Sequence, residues 1–314
     1  MLGPTLFCLY FNTIVSSFEN CDSILYADDT EIHYSDKDLS TAQTKVNQDM
    51  TNVDHWLTQN KMIANVKKTN AMLIGSRQTI KKAEKIKIHL NNKTIEQVTT
   101  FDYLGVRVNN VLSWEPHISR LCQRTYSRLG LLNRISGFLL KDVLFRIYKQ
   151  TFLPVIDYCA VVWHDCHSDC GSTLTTRVEK IQIRAMRIIL QKGRIKCTQE
   201  MRSALKLLSQ YSRRRFFRFI IIFKILNHLN CPKQLLGIFK LRSTLRNREL
   251  RDKTMLHLPK VNSKMGQTMF EYAGAKDWNS LPINIREITS INIFKETLFT
   301  YLLDCDVNSR NCSL

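Results

Sequence analysis

No segment of this chain supplies the unbroken apolar run that a membrane-spanning helix needs. It has no internal repeat and no low-complexity tract. Met1-Leu2-Gly3-Pro4 reads as a poor signal-peptide start, with no basic residue before the apolar run Leu6-Phe7-Cys8-Leu9-Tyr10-Phe11. That run reads instead as part of a buried helix. Ten cysteines without such a leader point to reduced thiols and an intracellular protein. Acidic residues are scarce, 27 Asp and Glu against 46 Lys and Arg, which leaves a formal charge of +19 over 314 residues. That length suggests two domains or one large one.

The few acids are unevenly placed. Residues 1–60 hold nine of them against Lys37 and Lys45, a net −7, so the remaining 254 residues carry +26. An acidic segment joined to a strongly basic body suits a metal site beside a polyanion track. Nucleic acid is therefore the leading partner, since each cation placed on a phosphate releases a counterion. A solvated basic surface is the plain alternative.

Residues 1–110 mix helix and strand, and the expected class is α+β. Apolar residues at Leu39, Val46, Met50, Val53 and Leu57 predict a helix from Asp38 to Asn60. Ala71–Ile74 reads as a strand ending at Gly75. Lys85–Leu90 alternates, turns at Asn91-Asn92 and returns through Thr94 to Val98 as a hairpin. Phe101–Val108 reads as one further strand. From Ser113, a candidate N-cap, the pattern turns helical over roughly 114–132, 142–163, 177–191, 199–229 and 291–303, with a break after Gly193. Residues 238–270 lack periodicity.

Tyr26-Ala27-Asp28-Asp29 carries the most chemical information. Ser23–Tyr26 before it and Thr30–Tyr34 after it are β-prone, so the acids fall at the tip of a tight hairpin. Adjacent carboxylates repel each other and suit a hard cation such as Mg²⁺. Asp is also ordinary in turns. Elsewhere, Arg213-Arg214-Arg215-Phe216-Phe217-Arg218 interleaves cations with aromatics. The aromatics fall at core spacing, which leaves the arginines for an outer face and phosphate contact. Cys166-His167-Ser168-Asp169-Cys170, with His164, invites zinc, but no second pair stands at finger-like spacing and loop chemistry is favoured. Trp114, Trp163 and Trp278 read as packing anchors.

Taken in order, several segments resemble the C-terminal half of a reverse transcriptase of retrotransposons without long terminal repeats, of the jockey-like kind. They are Leu2-Gly3-Pro4-Thr5-Leu6-Phe7, Tyr26-Ala27-Asp28-Asp29, Asn65-Val66-Lys67-Lys68-Thr69 and Phe101-Asp102-Tyr103-Leu104-Gly105, followed by Asp157-Tyr158 through Trp163 and Ala275 through Pro282. The resemblance implies a partial palm over 1–110, a helical thumb or connection over 111–192 and a basic, mostly helical region over 193–314. It implies RNA-directed DNA synthesis by two-metal nucleotidyl transfer, with RNA, DNA or their hybrid as partner.

In that family Asp28 would ligate Mg²⁺ while Asp29 assists, and Tyr26 and Ala27 would lie against the primer end or the nucleotide. Tyr103-Leu104-Gly105 would grip the primer, or is plain strand packing. Lys68 aligns with a proton donor to pyrophosphate, or is a surface lysine. The family also uses an earlier strand-borne aspartate and a Gln-Gly pair. Before Asp28 the only acids here are Glu19 and Asp22, neither in that context. The expectation is a fragment that does not polymerise alone unless an upstream polymerase fragment completes it. The alternative is a non-catalytic nucleic-acid-binding protein of retrotransposon origin.

Overall fold

The computed structural model describes residues 2–163, 173–191, 197–245 and 252–308, so the Cys166–Cys170 stretch lies outside the described residues. The chain divides into two compact units, Met1–Pro116 and His117–Leu314.

The first unit opens with α1 (Gly3–Phe11), which runs into a 3₁₀ turn over Asn12–Ser17. The helix forms as expected, yet it is not buried. Only Phe11 is enclosed, while Leu2, Leu6, Leu9 and Tyr10 face solvent. Strands β1 (Asp22–Tyr26) and β2 (Asp29–His33) then pair antiparallel across a two-residue turn. Helix α2 (Leu39–Gln59) begins where Asp38 accepts the Thr41 N–H at 2.8 Å. This is an N-cap that satisfies one of the helix's orphan donors. Its apolar stripe of Met50, Val53, Trp56 and Leu57 meets Phe11, Ile14, Ile88, Leu90 and Ile95 to make the core of the unit.

Short elements follow: β3 (Asn70–Ala71), α3 (Arg77–Lys82), β4 (His89–Leu90), β5 (Lys93–Thr94) and β6 (Glu96–Gln97). β4 and β5 are joined by Asn91 and Asn92, with φ of +50° and +56°. Two left-handed residues in succession are what a tight hairpin turn demands, and Asn tolerates them. The strand expected over 71–74 shrinks to β3, which pairs in parallel with β6. The strand expected over 101–108 is a hairpin, β7 (Thr100–Tyr103) and β8 (Val106–Asn109). Leu104 (φ +44°) and Gly105 (φ +81°) reverse the chain in a tight turn. Among the described residues, no strand of this unit has more than one partner.

The second unit is helical. Helix α4 (Glu115–Ile135) leads to α5 (Lys141–Thr151) and α6 (Leu153–Asp157). The single helix expected over 142–163 is interrupted at Phe152, because Pro154 has no N–H to continue the ladder. Helices α7 (Thr173–Leu190), α8 (Thr198–Leu205) and α9 (Gln210–Leu226) follow. The long helix expected over 199–229 is split. Lys206 turns left-handed (φ +48°), and Ser209 starts α9 by accepting the Ser212 N–H at 3.0 Å. The Asp306 carboxylate takes the Ser209 N–H at 2.6 Å and its hydroxyl at 2.9 Å, which holds the break in place.

After a 3₁₀ turn at Lys233–Leu235 come α10 (Arg242–Leu245), α11 (Lys264–Thr268), α12 (Phe270–Asn279), α13 (Ile283–Arg286) and α14 (Ile291–Asn308). One core joins α4, α5, α7 and α8 through Leu132, Leu144, Tyr148, Met186 and Met201. Another joins α9, α12 and α14 through Phe219, Phe223, Trp278, Phe294 and Leu298. No described helix is long and apolar enough to cross a membrane.

Candidate functional site

The two faces of the β1–β2 hairpin differ. Leu25 and Ile32 turn inward and pack against the core of the first unit. On the other face lie Asp22, Ile24 and Tyr26 of β1 and, opposite them, His33, Glu31 and Asp29 of β2. Period-two alternation fixes that division. Ala27 takes φ +54°, a conformation that favours glycine, so the turn is strained and tightly specified. Asp28 stands in the turn and Asp29 begins β2, both exposed. Among the described residues, neither carboxylate is engaged in a hydrogen bond or an ion pair.

A buried carboxylate positions this hairpin. Asp49 on α2 is fully enclosed and receives the Cys21 N–H at 2.7 Å, the Asn20 N–H at 3.0 Å and the Asn20 amide Nδ2 at 2.8 Å. The Glu19 N–H adds a longer bond of 3.3 Å. Burial pushes the Asp49 carboxyl upward, but these donors outweigh it and hold its pKa below the ordinary 3.8. Burial and the adjacent Asp49 charge raise the Cys21 thiol to about 12, which keeps it protonated and inert.

The structure brings Tyr103 to the same hairpin. Burial first, then the nearby charges of Glu31 and Asp29, raise the Tyr103 phenol above its ordinary pKa of 10.0. Tyr26 stands opposite Asp29 across the hairpin, and Leu104 and Gly105 form the turn that follows Tyr103. Lys68 lies exposed in the turn after Asn65, its N–H bonded to the Asn65 carbonyl at 2.9 Å. No hydrogen bond or ion pair among the described residues joins Lys68 to Asp28 or Asp29.

Carboxylate oxygens are the right donors for Mg²⁺, which keeps several waters and takes one or two protein carboxylates. Asp28 and Asp29 supply oxygens of that chemical kind. Among the described residues, no group of three Asp, Glu, His or Cys side chains gathers as a metal site.

The arginine cluster of α9 does not lie on an outer face, which overturns that expectation. Arg213 forms a two-point pair with Asp157, at 2.7 and 2.6 Å. Arg214 is 2% exposed and stacks over the Trp163 ring, 4.4 Å from its centroid. Arg215 donates to Ser280 at 2.9 Å, and Arg218 pairs with Asp277 at 2.5 Å. These guanidiniums clasp α6 and α12 to α9. Phe219 and Phe223 are core residues, as their spacing implied.

Solvent-facing cations gather elsewhere in the second unit. Helix α4 carries exposed Arg124, Arg128 and Arg134 and half-buried Arg120 on the side away from Leu121, Leu129 and Leu132. Helix α7 carries exposed Lys180, Arg184 and Arg187 and half-buried Arg177 opposite Val178, Ile181 and Met186. Arg177 donates to Ser119 at 3.1 Å, and Arg184 lies 5.4 Å from the Tyr126 ring centroid. Both links span the same sequence offset, so the two helices run parallel and in register. Glu115 and Glu179 are their only acids, and Glu179 is buried with Arg202 at 2.7 Å. Sequence reasoning passed over this face, although the cations recur opposite the apolar stripe at helical spacing.

Residues 1–108 match the family model described as "Reverse transcriptase (RNA-dependent DNA polymerase)". The chain is also similar to the "Retrovirus-related Pol polyprotein from type-1 retrotransposable element R1 2" of Nasonia vitripennis. The two are 25% identical over 170 residues, 52% of this chain and 42% of that polyprotein. The chain thus spans less than half the length of its curated relative. No solved structure matches it. The acidic hairpin and the core behind it thus lie within the segment, residues 1–108, that is similar to reverse transcriptases.

Proposed function

We propose that this chain is part of an RNA-directed DNA polymerase, with residues 1–110 contributing the acidic turn of its palm, 111–192 a helical thumb and 193–314 a basic accessory region. The observation that carries this reading is the pair of exposed, unengaged carboxylates at a strained hairpin tip whose opposite face is pinned to a core. Asp28 and Asp29 would hold Mg²⁺, which when bound neutralises charge on the substrate phosphates.

The chain's own part is placement. The Leu25–Ile32 face and Asp49 hold the turn still. Tyr26 and Ala27 flank the carboxylates, and Tyr103-Leu104-Gly105 offers an aromatic edge and a tight turn to a primer end. Lys68 is exposed and able to donate a proton to a departing pyrophosphate. Two carboxylates alone bind one ion weakly and do not align two. Efficient extension therefore calls for a further carboxylate, supplied by an upstream polymerase fragment.

The test adds such a fragment to the chain and measures primer extension on an RNA template. Activity that depends on Mg²⁺ and is lost in Asp28→Asn supports the reading; activity indifferent to that change refutes it. The α4–α7 face supports a second reading, a non-catalytic nucleic-acid-binding protein. Under either reading, Arg124→Glu with Arg187→Glu weakens binding to an RNA–DNA duplex. Its salt dependence flattens too, by about one unit of slope for each phosphate no longer neutralised. Unchanged extension in Asp28→Asn with retained duplex binding would favour the second reading.

A further inference from the structure

A cavity of about 530 Å³ opens between α4, α5 and α6 of the second unit. Clefts that hold organic groups run to about 300–1,000 Å³, so the space is of a useful size. Its apolar lining is Leu131, Leu132, Ile135, Ile147, Phe152 and Val155. Positions 131 and 135 of α4 share one side of that helix, as 143 and 147 do on α5, so the groove follows from helical spacing. Leu132 and Phe152 close its floor at 1% exposure, whereas Leu131 stands 59% exposed. Val143 is exposed one turn before Ile147, and the turn joining the two helices exposes Phe138 and Leu140. A lone exposed leucine means nothing, but four large apolar side chains beside an apolar cavity mark an interaction surface.

The surroundings state the charge of the occupant. Residues 117–155 hold seven Lys and Arg against one acid, Asp142, a net +6. Arg134, Lys141, Arg146 and Lys149 are exposed there, and none is in an ion pair among the described residues. Arg128 lines the cavity and donates to the Thr151 carbonyl, which fixes its guanidinium and leaves further N–H groups for a carboxylate. Nucleic acid answers the charge but has no aliphatic side chains to fill the groove. A bilayer is flat and reaches protruding groups, not the space between helices. An amphipathic helix satisfies both demands, with apolar anchors one turn apart and acids between them.

We propose that the α4–α5 groove docks an acidic amphipathic helix of a partner protein. Its apolar anchors enter beside Leu131, and its Asp and Glu side chains face Arg128, Arg134 and Arg146.

The test titrates the full chain, with Leu, Ile and Val methyls labelled for NMR. The probe is a synthetic helix of about 16 residues with Leu one turn apart on one face and Glu on the other. Saturable binding should shift the methyls of Leu131, Ile135, Ile147 and Val155. Leu131→Ala and Arg146→Glu should each weaken it about tenfold or more, while far-UV circular dichroism stays unchanged. A scrambled peptide of the same composition, and one with Lys in place of Glu, should bind far more weakly. The inference is overturned if the probe does not saturate, if either control binds equally well, or if the shifts fall elsewhere. Phosphatidylserine vesicles or an RNA–DNA duplex displacing the probe from those methyls would also overturn it. None of these readouts involves Asp28 or Asp29, so the primer-extension result stands or falls separately.

Discussion

Replacing Asp49 with asparagine tests how the acidic hairpin is held. The two carboxylate oxygens collect the Cys21, Asn20 and Glu19 N–H groups together with the Asn20 side-chain amide. Asparagine keeps one acceptor and turns an N–H₂ toward the remaining donors. Two hydrogen bonds to a charged acceptor then disappear, each contributing about 1.5–3 kcal/mol, and at least one buried N–H is left unpaired. The expected loss is about 3–5 kcal/mol, confined to the segment leading into β1. The chain has two units, so a single global unfolding energy is a poor readout. Native-state amide exchange resolves the effect residue by residue. Residues 19–33 should exchange at least a hundredfold faster while the helices of residues 117–308 are unaffected. Exchange altered by less than about fivefold, or altered equally in both units, would refute this account of the anchor.

Other outcomes follow from the same geometry. Asp49 is held below 3.8 by its donors despite burial, and Asp252 by Arg286, so each contributes stability that is present above pH 3.8 and lost as pH falls through its lower folded value. Amide exchange around residues 19–21 and 252–254 should therefore rise selectively under acid. The raised Tyr103 phenol works in the opposite direction, adding stability below pH 10.0 that disappears as the pH climbs through its folded value. Gly274→Ala brings a Cβ to 2.9 Å from the Phe239 ring tip and 3.1 Å from Ile222 Cδ1, so thermal unfolding should show a cost of about 1–3 kcal/mol despite the better helix former. Arg214→Met removes a buried cation whose Nε and one Nη have no protein partner and whose pKa burial has lowered to about 10. Its stability should be unchanged or higher by about 1–2 kcal/mol, with duplex binding intact; a large destabilisation in chemical denaturation would count against that view.

Features decided within a few residues were legible in the sequence. Asp38 capping a 21-residue amphipathic helix, the Asn91-Asn92 reversal and the acidic hairpin all follow from local backbone preference and short-period patterning. Even so, Tyr103-Leu104-Gly105 read as an unbroken strand, because a Leu-Gly pair signals a turn only weakly until its backbone is seen. The split at Lys206–Ser209 was hidden for a different reason. The carboxylate that holds it, Asp306, lies 97 residues away from Ser209.

Where side chains point was the other thing that sequence spacing left open. Arg213, Arg214 and Arg215 looked like a nucleic-acid contact, but α9 is surrounded by partners from distant segments. Asp157, Trp163 and Asp277 draw those cations inward, and the outward positive face falls to α4 and α7. The sequence by itself therefore determined the acidic turn and the resemblance to reverse transcriptases, because both are written in contiguous residues. Only the tertiary structure decided that Asp49 anchors that turn and which arginines face solvent. Each of those depends on pairing between residues too far apart in the chain for any local pattern to link them.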